Sequence, residues 1–286
     1  MPKNRTYEQY AKGESMSRPN IVRKVASIAC GTEFSQRMIE KRIKSFQRSA
    51  GIGAGGSVRN SGEFAVLKKV SNLPGPEYCI FDVGANKGDF TELVLSSFKN
   101  DVSFSVHCFE PSRTAFEALA HKLHKNPHAV LNNLGLGKEK GEFDLFADSP
   151  GSGGASLTRR NLAHLGVDFA HSEKVQIDRI DNYCSVKRIQ HIDLLKIDVE
   201  GHELDVLQGA QDMFDKERIK MVSFEFGGCN IDTRTFFQDF YYFFNHRNFR
   251  LHRITPSGYL YPIPFYSEFY EQFRTTNFLA VNAKHL

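Results

Sequence analysis

The sequence predicts a doubly wound α/β domain, a mostly parallel sheet with helices on both faces, behind a helical N-terminal extension. Three observations predict it. An apolar run at residues 78–81 reaches Asp82 and a turn bearing Gly84 and Gly88, and a helical pattern follows with Phe90, Leu93, Val94 and Phe98 at spacings of three and four. Apolar extended runs then alternate with helical periods as far as Val281, an order that gives a parallel sheet covered on both faces. The basic charge is gathered at one end: residues 1–50 hold eleven Lys and Arg against four Asp and Glu, so within a net charge of +4 the remainder carries a deficit of three.

The extension comes first. Residues 1–20 are polar, with Pro2, Gly13 and Pro19, and are expected to pack loosely. Helices are expected at 21–30 and 34–48. In the second, Phe34, Met38, Ile39, Ile43 and Phe46 form an apolar stripe, with Arg37, Lys41, Arg42, Lys44 and Arg48 elsewhere. A basic amphipathic helix can lie on a membrane surface or on nucleic acid. The commoner explanation is packing on its own domain or on a second subunit, which makes a homodimer through these helices an expectation. Residues 51–57 are glycine-rich but lack G-K-[ST] and follow no strand, so they read as a linker or a loop near the cofactor mouth. The expected division is an extension at 1–57 and a catalytic domain at 58–286.

A helix follows from residue 61 or 62 to 72, stopped by Pro74, Gly75 and Pro76. Next comes the turn after Asp82. Gly84 and Gly88 permit a backbone that side chains would block and a close approach by a ligand. The second strand, 104–109, ends in Glu110, which lies 22 residues after Gly88. That is near the ~20 residues expected for a carboxylate that holds a ribose diol. Singly, these residues have ordinary explanations as turn glycines, a helix cap and a surface carboxylate. In this order and spacing they indicate a nucleoside cofactor. The glycines are spaced G-x-x-x-G, not G-x-G-x-x-G, so S-adenosylmethionine (SAM) fits better than NAD.

The chain continues with a helix at 112–124 and a third strand at 128–132. Asn133, just beyond it, can donate to or accept from an adenine edge. Short extended pieces are expected at 142–146 and 174–177, with an aperiodic loop at 149–156 between them that is either an insertion or part of an acceptor site. A short helix at 178–184 precedes a central strand at 192–198. Period two sets Lys196 and Asp198 on one face and Leu195 and Ile197 on the other. Asp198 and Glu200 then arrive at the carboxyl end of the sheet, where ligands bind in open α/β folds. A helix from Glu203 carries Leu204, Leu207 and Met213, a fifth strand at 219–224 ends at Glu225, a Phe- and Tyr-rich helix spans 233–245, and the last strands fall at 249–254 and 277–281. The aromatic stretch 256–273 reads as core cover, with a few side chains left for an acceptor pocket.

Three blocks resemble a known family: Phe81-Asp82-Val83-Gly84-Ala85-Asn86-Lys87-Gly88, Phe109-Glu110-Pro111-Ser112, and Leu195-Lys196-Ile197-Asp198-Val199-Glu200-Gly201-His202-Glu203. Together they resemble the FkbM family of SAM-dependent methyltransferases, over about residues 62 to 282. The third block is the most specific, since class I methyltransferases in general share only the first two. The resemblance implies a seven-stranded sheet with the last strand antiparallel, and methyl transfer usually to an oxygen. Lys87 and Gly135 depart mildly from the usual residues. The implied cofactor-binding set is Asp82, Val83, Gly84, Ala85, Asn86, Gly88, Glu110, Pro111, Ser112, Asn133 and Asp198.

In-line transfer to a hydroxyl benefits from a base. Asp198, Glu200, His202 and Glu225 are the candidates, with Glu203 close by. Glu200 and Glu203 can equally cap the helix that follows, and His202 can be a plain helix-surface residue. Asp198 and Glu225, with Asn230, can hold a hard cation, but their spacing does not demand one and no metal is expected. The expected acceptor is a small molecule, natural product or sugar. RNA methylation using the basic arm, and SAM binding without transfer, are the alternatives. The arm lacks the interleaved aromatics of a base-stacking surface.

Composition bounds the rest. No apolar run reaches the ~20 residues of a membrane span, and the first residues lack the apolar core of a signal peptide. The five cysteines, with no C-x-x-C pair, are expected to be reduced thiols in a cytoplasm.

Overall fold

A computed structural model describes residues 30–98 and 102–286. By packing, the chain divides into two units, residues 1–47 and 48–286. Helix α1 (Glu33–Ser49) forms over the expected amphipathic stretch. Residues 1–20, expected to pack loosely, and nearly all of the helix expected at 21–30 lie outside the described residues. Residues 51–57 belong to the larger unit. There the Gly55 N–H donates to the Thr275 carbonyl at 3.0 Å, and Ile52 is buried.

Among the described residues the larger unit carries eleven strands. β1 (Glu77–Val83), β2 (Ser103–Phe109) and β3 (Ala129–Asn132) come first, then β4 (Gly135–Leu136), β5 (Gly141–Ala147) and β6 (His171–Asp178). β7 (Ile192–Ile197), β8 (Ile219–Phe226), β9 (Phe249–Ile254), β10 (Leu260–Ile263) and β11 (Thr276–Asn282) follow. Eight of them form one sheet in the order β10-β9-β11-β8-β7-β1-β2-β3. β3, β2, β1, β7 and β8 run parallel, and β11 lies antiparallel between β8 and β9. Seven of these strands make the expected sheet with its last strand antiparallel. The eighth, β10, comes from the stretch expected to cover the core and lend a few side chains to an acceptor pocket, and it pairs with β9 as a hairpin. The two extended pieces at 142–146 and 174–177 leave the main sheet and join β4 in a second sheet of three strands, ordered β4-β6-β5.

Alternation sorts the strands of the main sheet between two cores. Cys79, Phe81, Val83, Leu195 and Ile197 face one, with α5 (Ile180–Lys187) and α9 (Phe237–Asn245) packed against it. Tyr78, Ile80 and Leu194 face the other, with α2 (Phe64–Val70), α3 (Asp89–Ser97) and α4 (Arg113–Leu123). Phenylalanine fills the first core: Phe224 stacks on Phe240 and Phe244, with centroids 4.9 and 5.3 Å apart. Offset ring pairs of this kind add to burial itself.

Two expected helices are shorter than their periodicity implied. The helix from Glu203 breaks at Gly209 into α6 (Glu203–Gln208) and α7 (Gln211–Asp215). The helix expected from residue 233 begins at Phe237, because Arg234 takes φ +59 and ends α8 (Cys229–Thr233). Among the described residues no helix is long and apolar enough to cross a membrane. All five cysteines are free thiols, four of them buried.

Candidate active site

The chain reverses direction across the sheet between β1 and β7. β1 leads outward to β2 on one side and β7 to β8 on the other, which is where open α/β sheets bind ligands. Register brings the motifs level: Val83 pairs with both Phe109 and Ile197, and Ile197 pairs with Phe224. The residues just beyond these positions therefore open on one edge.

Two cavities meet there. A cofactor-side cavity of about 60 Å³ is lined by Val83, Gly84, Asn86, Glu110 and Pro111, with Asp198, Glu200 and His202. A cleft of about 1340 Å³ is lined by Asn86, Asp198, Glu200 and Glu225, together with Lys196 and Arg160. Asn86, Asp198 and Glu200 thus border both.

The turn after β1 is held mostly by its own bonds. The N–H groups of Gly84 and Ala85 both donate to the Phe109 carbonyl at 3.0 Å, and the Asn86 N–H donates to Glu110 Oε2 at 2.8 Å. These amides are engaged within the protein rather than free for a ligand. Glu110 Oε1 also accepts from the Ser112 N–H at 2.8 Å. Each Glu110 oxygen still has a lone pair for a hydroxyl. Burial pushes this carboxyl up to about 7, against the two backbone donors. Asn86 Oδ1 is buried with no hydrogen-bond partner and borders both cavities, so the site offers an acceptor that a bound donor would satisfy.

Four expected cofactor contacts are placed otherwise. Asp82 lies beneath the turn, fully buried, accepting from Thr91 Oγ1 at 2.7 Å with Lys196 Nζ 3.6 Å from its other oxygen. Ala85 packs into the core. Ser112 is buried and spends its hydroxyl on Glu173 at 2.6 Å. Asn133 donates to the Glu110 and Pro111 carbonyls at 2.9 and 3.1 Å, which fixes the loop after β2. None of the four lines the cofactor-side cavity; apolar side chains such as Leu136 and Ile177 stand there. Gly88, a fifth expected contact, lines neither cavity: it caps α3 in the left-handed region at φ +87, and a Cβ added there would stand 2.7 Å from Leu119.

Of the candidate bases, the structure brings three together. Carboxylate oxygens of Asp198, Glu200 and Glu225 lie within 4.8 Å of one another. Glu200 sits at φ +52, uncommon for a residue with a side chain, and its carbonyl accepts from Ser156 Oγ at 2.7 Å. Burial and the neighbouring Asp198 push Glu200 up to about 8, although Arg160 opposes them. Burial, with Asp198 and Glu200, raises Glu225 well above the ordinary range. Burial opposes the charge on Lys196, but Asp198, Asp82 and Glu63 outweigh it and keep this lysine protonated.

The fourth candidate, His202, is occupied. Its Nδ1 lies 2.7 Å from Asp205 Oδ2 and its Nε2 2.9 Å from Thr158 Oγ1. With both nitrogens engaged by protein side chains, it holds a loop rather than standing free for an acceptor. Glu203 is fully buried, accepting from the Val199 and Gly201 N–H groups, and so caps its own turn. Asn230 is likewise spent: its Oδ1 accepts from the Gly227 N–H at 2.8 Å and its amide faces Glu203. It drops out as a cation ligand. The Asp198, Glu200 and Glu225 trio does have the oxygen spacing to share one hard cation, which sequence spacing had not demanded.

Sequence reasoning missed Arg160. Its Nη1 donates to Glu200 Oε2 at 2.9 Å and its Nε to Asp232 Oδ2 at 3.3 Å. It also missed the segment that carries this arginine as a wall of the cofactor side.

Residues 82–251 match the methyltransferase FkbM domain. The chain is 29% identical over 159 residues to the 2-O-methyltransferase NoeI of Sinorhizobium fredii (strain NBRC 101917 / NGR234), covering 52% of this chain and 64% of that protein. It is 28% identical over 148 residues to methyltransferase 1 of Beauveria bassiana (strain ARSEF 2860), covering 46% and 58%. The matches thus span less than two thirds of each relative's own length. Among solved structures, the methyltransferase FkbM from Methylobacillus flagellatus KT superposes with a TM-score of 0.43 at 15% identity, over 76% of this chain and 47% of that one.

Proposed function

The chain belongs to the FkbM methyltransferase family, and we propose that it moves a methyl group from SAM to a hydroxyl oxygen of a small molecule or sugar. One observation carries this reading. Asp198 and Glu200 border both the cofactor-side cavity and the large cleft, with Glu225 beside them, so carboxylates stand where a donor and an acceptor would meet. SAM, when bound, supplies an electrophilic methyl. Glu110 would hold the ribose diol through its remaining lone pairs, and the Asn86 Oδ1 would find its missing donor. Glu200 or Glu225 would orient the acceptor hydroxyl and take its proton. Their raised affinity for a proton suits that task near neutrality. The name of the S. fredii relative, a 2-O-methyltransferase, supports transfer to oxygen.

RNA fits this cleft poorly. Glu63, Asp198, Glu200 and Glu225 face it, while Lys196 and Arg160 are already paired with carboxylates, a poor seat for polyphosphate. Free thiols favour a reducing compartment, and we take the cytoplasm as the working location. A homodimer through the N-terminal helices is part of the same proposal.

The test is incubation with methyl-labelled SAM and candidate polyols, sugars and source extract, followed by mass spectrometry. A product heavier by one CH₂ with the label on oxygen is the expected result. Label on nitrogen or carbon, or calorimetry that detects no binding of SAM or S-adenosylhomocysteine, would refute it.

A further inference from the structure

One segment walls both cavities. Ser152, Gly153, Ala155 and Leu157 line the cofactor side, and Gly153 and Arg160 line the large cleft. Between β5 and β6 this segment has no regular structure of its own at 152–162, apart from the bridge in which Phe146 and Ser156 exchange backbone bonds at 2.8 and 2.9 Å. It lies directly on the cofactor turn: a Cβ added to Gly153 would stand 2.8 Å from Asn86 Nδ2. The space left beneath is about 60 Å³. Sites that enclose a small molecule usually offer at least ~300 Å³. With the segment in this position the cofactor-side cavity by itself is too small to enclose a nucleoside.

Three side chains tie the segment down onto the turn after β7 and onto α8. Ser156 Oγ donates to the Glu200 carbonyl at 2.7 Å, and Thr158 Oγ1 lies 2.9 Å from His202 Nε2. Arg160 makes the third tie, reaching Glu200 at 2.9 Å and Asp232 at 3.3 Å with its side chain only 13% exposed. The first two are single bonds. The third joins one guanidinium to two carboxyl groups, and hydrogen bonds from a charged donor are about twice as strong as neutral ones.

Building on the SAM-site reading above, we propose that Arg160 is a positioning residue that latches residues 152–162 over the cofactor-side cavity through Glu200 and Asp232, and that the latch must release before the nucleoside is admitted. The carboxylate that closes the lid is also one that faces the acceptor. Cofactor access and the arrangement of Glu200 are therefore coupled through one guanidinium. A lid that must open scales ligand association down to the fraction of time it is open.

The probe is S-adenosylhomocysteine, bound to the full-length chain and to Arg160→Gln and Arg160→Lys. Association rates come from surface plasmon resonance and segment opening from hydrogen exchange by mass spectrometry. Arg160→Gln should raise the association rate roughly five-fold or more, as expected when the open fraction grows. It should speed exchange across 152–162 and leave β1 and β7 as in the native chain. Arg160→Lys, which keeps the charge without the fork, should fall between. A looser segment with an unchanged association rate would show that it does not gate the site. Unchanged exchange would show that Arg160 does not hold it. If Arg160→Gln disturbs β1 and β7 as well, Asp232→Asn opens the same latch from the other side and decides. A native chain that binds no S-adenosylhomocysteine sinks the cofactor reading and the latch with it. Binding at an unaltered rate sinks the latch alone.

Discussion

A Cβ built on Gly84 would lie 1.8 Å from the carbonyl oxygen of Asp198. The first glycine of the turn is therefore demanded by the end of β7, not by a ligand. Gly84 also holds φ +80, where a side chain costs a further ~1–2 kcal/mol. Gly84→Ala should lower stability by about 3 kcal/mol or more, the range reserved for backbone overlap and strain. Chemical denaturation reads this directly. A variant as stable as the parent that merely binds S-adenosylhomocysteine less well would restore the ligand-approach explanation.

Glu110 separates stability from binding. Glu110→Gln replaces one acceptor oxygen with an NH₂ that must face the N–H of Asn86 or Ser112. Loss of a hydrogen bond to a charged group costs roughly 1.5–3 kcal/mol, so calorimetry should find S-adenosylhomocysteine bound at least ten-fold more weakly. Because burial holds this carboxyl up at about 7, native affinity should fall as pH drops below neutrality and the carboxylate protonates. Affinity constant from pH 6 to pH 8 would remove Glu110 from the site.

For transfer itself, Asp198→Asn, Glu200→Gln and Glu225→Gln are the informative changes, with methyl incorporation from labelled SAM as the readout. At least one should cut turnover ~10²-fold while the cofactor still binds. His202→Ala should cost less than the worst of these, since both ring nitrogens are committed to Asp205 and Thr158. The reverse ranking would make His202 the base.

How much of this could be read beforehand depends on range. The β1 turn, Glu110 just beyond β2 and the carboxylates just beyond β7 and near the end of β8 were legible because each is a local event at the carboxyl end of a strand of period two. The doubly wound, mostly parallel class followed from alternation. The lid was not legible, since Ser156 meets Glu200 across 44 residues and the segment has no period. Nor was the fate of Asn133 and Ser112. Their side chains suit a ligand or a neighbour equally, and only packing shows that the neighbour took them. Gly209 and Arg234 broke helices whose apolar spacing ran on past them.

Stability should depend on pH with a definite sign. Glu110 and Glu200 are raised in the fold to about 7 and about 8, so folding favours their protonated forms. That contribution is complete below the ordinary carboxylate range and is lost as pH rises through 7 and 8. Histidines lowered by burial, such as His107, act in the opposite direction but below about pH 6.5, where unfolded histidine charges. The melting temperature of the ligand-free protein should therefore fall from pH 6.5 to 8.5. Glu200→Gln, fixed in a neutral form, should flatten the slope. A melting temperature that climbs over this interval contradicts the assignment.

Truncation tests the division of the chain. Removing residues 1–47 should leave S-adenosylhomocysteine affinity within a few-fold, since the larger unit begins at Arg48. Removing residues 1–57 should also unseat buried Ile52 and the Gly55 bond to Thr275, and lower the melting temperature further. Equal melting temperatures for the two truncations would make 48–57 a true linker.

The β10 hairpin closes one side of the sheet. Pro262 sits opposite His252 in the antiparallel pairing, and proline has no N–H to give its neighbour. On the outer side it is equally unable to donate to an incoming strand, and a short outer strand with a proline is a poor template for another chain. The hairpin thus guards a wide sheet against growth by strand addition at the margin farthest from β3, without using any residue that the reaction needs.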